Sequence, residues 1–279
     1  MSEKIILTLT TIPSRLQSDA DNGIKACIKS LNSQSYDGYV VHFNIPDVCR
    51  STNEQYIIPD WIHEYKNIEI HRCDDMGSIT KLIPTLRRVQ DPEQTIIVVD
   101  DDIIYHPDMV SAHVQNRQKW PDFVVGYDGM RARDENGKFA DRFKDSRDYY
   151  FSGCNCNSLV DIIQHYKTVS YKRKFFKDDI YDFVSKYGTW CDDKTIAAYM
   201  SHHMIPRVIT YNENDKNYTE HSDWLEHVGT SFPVIGNTAH ERNEGCNVNR
   251  SNNEDDTKIK ELFKYIDNGY VRFEKPMKI

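Results

Sequence analysis

Three consecutive aspartates, Asp100, Asp101 and Asp102, directly follow the apolar, β-branched run of residues 95–99. Such a run, with Asp-Pro before it and acidic residues after it, is typical of a buried strand. Adjacent carboxylates repel one another, and gathering them is costly unless a cation lies among them. Hard divalent cations such as Mg²⁺ and Mn²⁺ prefer oxygen ligands and are often shared with phosphates. This aspartate triplet therefore predicts a divalent metal site suited to a nucleoside diphosphate; the alternative is an acidic, solvated turn.

Strands and helices alternate in the part of the chain that must position the triplet. Strands are predicted at residues 4–9, 39–45, 68–72 and 95–99, and helices at 22–32, 79–89 and 107–120. This alternation predicts an α/β fold with a doubly wound, mostly parallel, Rossmann-like sheet. Ligands bind beyond the carboxyl ends of the strands in such sheets. We therefore expect the polar segment 10–15, after the first strand, to face one crevice with the triplet.

The pattern is less regular after residue 120. Strands are predicted at 123–126 and 208–211, helices at 178–186, 195–204 and 259–266, and a hairpin turn at Asn136-Gly137. The sequence shows neither an internal repeat nor a linker-like segment. We therefore expect a single domain over 1–279, with a regular half at 1–120 and an elaborated C-terminal half at 121–279.

Composition limits the class of protein. The formal net charge of −8 argues against a general nucleic-acid-binding surface, which needs a basic face. The seven cysteines are odd in number and irregularly spaced, which favours reduced thiols. We expect neither a signal peptide nor a transmembrane helix, because the N-terminal apolar stretch is too short for either. These features favour a cytoplasmic location, which would be the host cytoplasm for a viral chain.

Three segments resemble a known family when they are taken in order: LTTIPSRL at 9–16, MGSITKL at 76–82 and VVDDDI at 98–103. They are similar to nucleotide-sugar-dependent glycosyltransferases of the GT-A fold, of the DxD-containing, family-2-like kind. The resemblance covers about the first 110 residues and extends thinly to residues 189–200. It implies that 1–120 binds the nucleotide sugar and that 121–279 binds the acceptor.

The resemblance also implies roles for single residues. Asp102 would be a direct metal ligand, and Asp100 would bind the metal, its waters or the ribose. Asp101 would point the opposite way if the strand continued, and would then hold the fold or the ribose. Lys81 would reach the diphosphate, unless it is only a solvated helix residue. The nucleoside would be framed by the remaining matched positions, which are Thr10, Thr11, Ile12, Pro13, Arg15 and Asp75. For Asp75, near the uracil, the alternative is a turn with Gly77.

A second acidic element, Asp192-Asp193, resembles the family's acidic pair at the start of a helix. A carboxylate placed beside an acceptor hydroxyl can take its proton during attack on the anomeric carbon. We expect one of the two to be this base and prefer Asp193. The alternative is a purely structural role, because acidic residues stabilise helix N-termini.

A late polar loop contains His240 and Arg242. In the family such a loop supplies a metal ligand or a cation for the phosphates, so His240 is expected at the metal and Arg242 at the diphosphate. A surface histidine is the alternative.

Together these features predict a Mn²⁺- or Mg²⁺-dependent enzyme that transfers a sugar from a UDP-sugar, or another nucleoside diphosphate sugar, to an acceptor hydroxyl. The acceptor would be a glycan, a glycoprotein or a small molecule, and inversion at the anomeric carbon is preferred. One alternative is a sugar nucleotidyltransferase, although residues 10–16 lack the glycine-rich basic loop that a triphosphate needs. The other is a non-catalytic nucleotide- or carbohydrate-binding protein of the same fold.

Overall fold

A computed structural model describes residues 3–17, 24–130, 158–187, 192–210, 231–233 and 256–270. Within these residues the strands are β1 (Ile5–Leu9), β2 (Tyr39–Pro46), β3 (Ile68–Cys73), β4 (Thr95–Val98), β5 (Ile103–Ile104), β6 (Val124–Gly126), β7 (Gly129–Met130), β8 (Ser158–Leu159), β9 (Ile162–Ile163), β10 (Val169–Lys172), β11 (Arg207–Ile209) and β12 (Ser231–Pro233). Eight of them form the central sheet, in the order β3-β2-β1-β4-β10-β6-β11-β8. The strands β1, β2, β3 and β4 all run parallel, whereas β10 runs antiparallel to both of its neighbours, β4 and β6. The sheet takes strands from both halves of the sequence.

Helices pack on both faces of this sheet. The α-helices are α1 (Pro13–Leu16), α2 (Ile24–Asn32), α3 (Ile83–Arg88), α4 (Met109–Lys119), α5 (Ile180–Tyr187), α6 (Asp192–His202) and α7 (Asp256–Tyr270). Alternate residues of β1 show how the faces are divided. Ile5, Leu7 and Leu9 pack with α2 and α4, while Ile6 lies in the cluster that contains α3, α5, α6 and α7. The α/β fold with a doubly wound, mostly parallel sheet is thus confirmed.

The first four strands lie within a residue or two of their predicted positions. The chain leaves β1 for β2 and β3 on one side, and then returns to place β4 on the other side of β1. The strand order therefore reverses between β1 and β4, where the carboxyl ends of a doubly wound sheet open a crevice. This reversal fixes where the segments after β1 and β4 meet.

One prediction of local structure is wrong. The helix expected at 79–89 is divided into a 3₁₀ turn, Gly77–Lys81, and α3, with Pro84 in the first turn of α3. Pro favours the first turn because that position needs no amide donor, so it marks a helix start inside the predicted helix. The sequence interpretation also missed β10, whose four residues carry too little pattern to be detected.

Several predicted features lie outside the described residues. They include the hairpin turn at Asn136-Gly137 and the late loop with His240 and Arg242. Among the helices that the structure describes, none has both the length and the apolar character needed to cross a membrane.

Candidate active site

The aspartate triplet lies where expected, at the carboxyl end of β4, and it contacts the segment that follows β1. The Arg15 guanidinium forms an ion pair with Asp101 through Nη1, and its Nη2 lies 3.2 Å from Asp102 Oδ2. Thr11 Oγ1 donates to Asp101 Oδ2 at 2.5 Å. Because β4 ends at Val98 and Asp101 and Asp102 form a turn, the expected alternation of side chains does not persist. Asp101 and Asp102 instead share one guanidinium.

Backbone contacts hold the segment after β1 in place. Pro13 opens the single turn of α1, Ile12 precedes it, and Leu16 is buried beneath it. The Tyr56 hydroxyl donates to the Thr11 carbonyl at 3.0 Å, and the Thr10 hydroxyl donates to the Asn44 carbonyl at 2.8 Å. The segment therefore presents Arg15 to the triplet from an anchored turn, while the Thr10 and Thr11 hydroxyls are used in holding it.

Lys81 links the triplet to the second acidic element. Its Nζ lies 2.6 Å from Asp100 Oδ1 and 2.7 Å from Asp192 Oδ2. The lysine side chain is only 9% exposed, so this ammonium group is held between two carboxylates and away from water. Burial by itself lowers the pKa of Lys81, but Asp100 and Asp192 raise it well above its ordinary value, which keeps the amine charged.

The turn that carries Lys81 is built by Asp75 and Gly77. Gly77 has a φ of 70°, which a residue without a Cβ adopts at little cost. Asp75 Oδ1 accepts the Gly77 amide at 2.8 Å, and its Oδ2 accepts the Arg50 amide at 2.6 Å. Asp75 thus forms the turn proposed as its alternative role, directly after β3 and on the same edge of the sheet as the triplet.

The acidic pair opens α6 and surrounds a buried histidine. His165 Nδ1 lies 2.8 Å from Asp192 Oδ2 and 2.8 Å from Asp193 Oδ1, and the His165 amide donates to Asp193 Oδ1 at 2.9 Å. On its other side, His165 Nε2 lies 2.7 Å from the Tyr171 hydroxyl. Burial alone lowers the pKa of His165, but hydrogen bonds with the two aspartates raise it to about 9. The imidazole is therefore a cation near neutral pH.

The two members of the acidic pair differ. Asp192 contacts both Lys81 and His165 and its side chain is 13% exposed, whereas that of Asp193 is 27% exposed. Burial raises the pKa of Asp192, but Lys81 and His165 outweigh this and hold it below its usual range. Asp192 is thus a fixed anion, and Asp193 is the more accessible carboxylate.

Within the part of the chain that the structure describes, the charges of this site do not balance. Five carboxylates belong to the triplet and the acidic pair, and the described cationic groups that contact them are Arg15, Lys81 and His165. Burial, together with Asp101, raises the pKa of Asp102 to about 6 against the opposing charge of Arg15. The pKa of Asp100 is also raised, mainly by burial, against the opposing charge of Lys81. Two negative charges among these eight groups match one divalent cation, and oxygen donors are the ligands that Mg²⁺ and Mn²⁺ prefer.

Comparisons with known proteins identify no family for this chain. No family model matches the chain, and no curated protein matches it. Among solved structures it is similar to S. aureus TarS at 13% identity, over 75% of this chain and 35% of that one, with a TM-score of 0.48. It is also similar to residues 1–349 of TarS in complex with UDP, at 12% identity over 77% of this chain and 59% of that one, with a TM-score of 0.45.

A third similarity is to 4-diphosphocytidyl-2C-methyl-D-erythritol synthase, at 7% identity over 80% of this chain and 95% of that one, with a TM-score of 0.48. The chain spans between about a third and three fifths of the TarS chains it matches. Structural similarities this distant do not indicate a function, because function depends on the side chains of the site and not on the fold.

His165 and Tyr171 are the site residues that the sequence interpretation missed. His165 lies 28 residues before Asp193 in the sequence, although its backbone amide donates to the Asp193 carboxylate in the structure. No motif surrounds it, and its role depends on how the segment before β10 packs against α6. Its position before a short strand of Val, Ser, Tyr and Lys offers no signal of its own.

Proposed function

We propose that this chain is a metal-dependent glycosyltransferase that moves a sugar from a UDP-sugar, or another nucleoside diphosphate sugar, to an acceptor hydroxyl. One observation carries the proposal. Among the described residues, five carboxylates and three cationic side chains meet where the strand order reverses between β1 and β4, and these eight groups leave two negative charges unmatched. That position in a doubly wound sheet suits a nucleotide, and that charge suits a divalent metal, which would neutralise the charge of a diphosphate.

Asp102 and Asp100 are the residues that would hold the metal. A bound Mg²⁺ or Mn²⁺ supplies charge neutralisation to the diphosphate as it leaves. Asp102 fits this role because burial, followed by repulsion from Asp101 and Asp100, raises its pKa, and a bound cation would offset both effects. Asp101 is committed to Arg15 and Thr11, so its role is to orient Arg15. His240 as a third ligand and Arg242 as a phosphate contact remain predictions.

The segment after β1 would frame the nucleoside. Thr10, Thr11, Ile12 and Pro13 form an anchored turn beside the triplet, and Arg15 projects from it. Asp75 lies at the end of β3 on the same edge and holds the turn that leads to Lys81. Lys81, which is paired with two carboxylates, would reach a diphosphate only if Nζ exchanged a carboxylate for a phosphate oxygen.

Asp193 is the proposed base. The acceptor hydroxyl would give its proton to Asp193 as its oxygen attacks the anomeric carbon, and inversion follows from attack opposite the leaving diphosphate. Asp193 is preferred to Asp192 because it is the more exposed of the two and does not contact Lys81. Asp192 would instead hold His165 and Lys81 in position.

A panel of nucleoside diphosphate sugars tests the proposal. Each is added with and without Mn²⁺, and the melting temperature and the release of nucleoside diphosphate are measured. A bound donor stabilises the native state by mass action, so the matching donor should raise the melting temperature only when Mn²⁺ is present. Slow release of UDP, with water as acceptor, should accompany the shift.

Other outcomes identify the alternatives. Pyrophosphate release from a nucleoside triphosphate and a sugar 1-phosphate, without turnover of any sugar nucleotide, would show a nucleotidyltransferase. A Mn²⁺-dependent shift without release, in the presence of a broad acceptor panel, would show a binding protein. Absence of any shift with every nucleotide sugar would refute the nucleotide site itself.

A further inference from the structure

A second cluster of metal-binding side chains lies away from the aspartates, on β2 and β3. His42 on β2 is paired in register with Glu69 on β3, and His71 follows Glu69 on the same face of that strand. One ligand atom from each residue lies within 4.8 Å of the other two. These residues take no part in the proposed transfer reaction. We propose that His42, Glu69 and His71 form a binding site for a Zn²⁺-like transition-metal ion.

The spacing of the ligand atoms matches such an ion. His71 Nε2 lies 3.4 Å from Glu69 Oε2, and His42 Nε2 lies 3.6 Å from the same oxygen. These distances are long for hydrogen bonds. Two ligands of a tetrahedral Zn²⁺, each about 2.1 Å from the ion, are themselves about 3.4 Å apart. The nitrogen–oxygen distances are therefore closer to those between two ligands of one metal ion than to those of a hydrogen-bonded pair.

The histidine nitrogens lack the partners that buried polar atoms normally have. Within the described part of the chain, His71 Nε2 and His42 Nδ1 are buried and form no hydrogen bond. The whole of His42 is only 8% exposed. Leaving such atoms unpaired costs free energy, so each unpaired atom calls for an explanation. A metal ion bound to His71 Nε2 would supply the missing partner.

Neighbouring charge selects the class of metal. Glu69 is the one anion of the triad, and Arg88 lies close by, where it donates to Asn44 Oδ1 and to Thr85 Oγ1 at 3.1 Å. An ion held by charge alone, such as Mg²⁺ or Ca²⁺, gains little beside a guanidinium. Zn²⁺, Co²⁺ or Ni²⁺ binds neutral imidazole strongly, so this site should accept these ions and reject Mg²⁺. Bound there, the ion would fasten β3 to β2.

Co²⁺ and Zn²⁺ test this site directly. Co²⁺ is added to the full chain and its visible absorption is recorded, because tetrahedral Co²⁺ absorbs far more strongly than octahedral Co²⁺. Zn²⁺ binding is measured in parallel by equilibrium dialysis and by melting temperature. The protein should show intense Co²⁺ bands and a rise in melting temperature with Zn²⁺, and Mg²⁺ should produce neither.

Three variants locate the site. His71→Ala and Glu69→Gln should each lose the Co²⁺ bands and at least about tenfold of the Zn²⁺ affinity. His63→Ala, an exposed histidine between β2 and β3, should behave like the parent chain. Circular dichroism checks that each variant folds; Glu69 is half-exposed, so the glutamine variant should remain folded. Equal Zn²⁺ binding and unchanged Co²⁺ bands in both site variants would overturn the proposal.

Discussion

The two acidic elements of the candidate active site differ in how completely their charge is compensated. Asp192 and Asp193 surround a cationic His165, and Asp192 also contacts Lys81. For the three carboxylates of the triplet, the described residues supply Arg15 and the shared Lys81. The pKa values follow this difference, because that of Asp192 is lowered whereas that of Asp102 is raised to about 6. Among the described residues, the acidic pair is therefore compensated more fully than the triplet, and this difference supports the proposed metal site at the triplet.

Substitution of Asp102 should have the largest effect, which is a loss of Mn²⁺-dependent UDP binding. Asp102→Asn removes the carboxylate proposed to bind the metal, so Mn²⁺-dependent UDP binding should fall below detection in calorimetry. The substitution also relieves repulsion from Asp101, so the melting temperature of the metal-free protein should hold or rise. Asp91→Asn, at an exposed loop, serves as the control. UDP binding that survives unchanged would remove the triplet from the metal site.

Substitutions in the acidic pair should separate chemistry from structure. Asp193→Asn should preserve Mn²⁺-dependent donor binding but lower kcat for transfer by about 10²–10⁴-fold, because a general base contributes this much. Asp192→Asn should mainly lower the melting temperature, since it leaves Lys81 and His165 with one partner fewer. If Asp192→Asn alone abolishes transfer at full stability, the two roles are exchanged.

Of the cationic residues Arg15, Lys81 and His165, Lys81 alone contacts both the triplet and the acidic pair. Lys81→Met keeps most of the side-chain volume but leaves Asp100 and Asp192 buried without their shared ammonium group. Removal of one partner from a buried ion pair costs about 3–5 kcal/mol, so urea unfolding should report a loss of this size. Lys29→Met, on the exposed side of α2, should change little. A loss below about 1 kcal/mol would show that Lys81 does not join the two elements.

His165 should give the acidic pair a distinct pH dependence. Its pKa of about 9 in the folded chain exceeds the unfolded value of about 6.5, so its stabilisation is complete below pH 6.5 and is lost as pH rises through 9. The free energy of unfolding should therefore fall by about 3 kcal/mol over this interval. His165→Asn, which keeps a donor but no charge, should remove that part of the slope, while His63→Asn should keep it. Identical slopes in all three proteins would show that His165 is not the titrating group.

The regular half of the fold could be predicted from sequence because its signals are local. The runs that form β1, β2 and β4 are apolar and β-branched, and turn residues end them. Once a parallel sheet is expected, the meeting of the segments after β1 and β4 follows from the rule that ligands bind at carboxyl ends. The elaborated half is different, because β10 is four residues long and its place between β4 and β6 depends on antiparallel pairing with distant strands.

The sequence by itself determined which groups could do chemistry: three adjacent aspartates, an acidic pair and a lysine after a glycine turn. Only the tertiary structure decided which charges compensate which. Ion pairs and hydrogen bonds to buried imidazoles join residues that are far apart in the chain. Arg15 and Asp101 are separated by 86 positions in the sequence, and His165 and Asp192 by 27. Sequence spacing cannot encode such contacts, because they depend on how helices cross the sheet. The charge state of each group depends in turn on the burial that this packing produces.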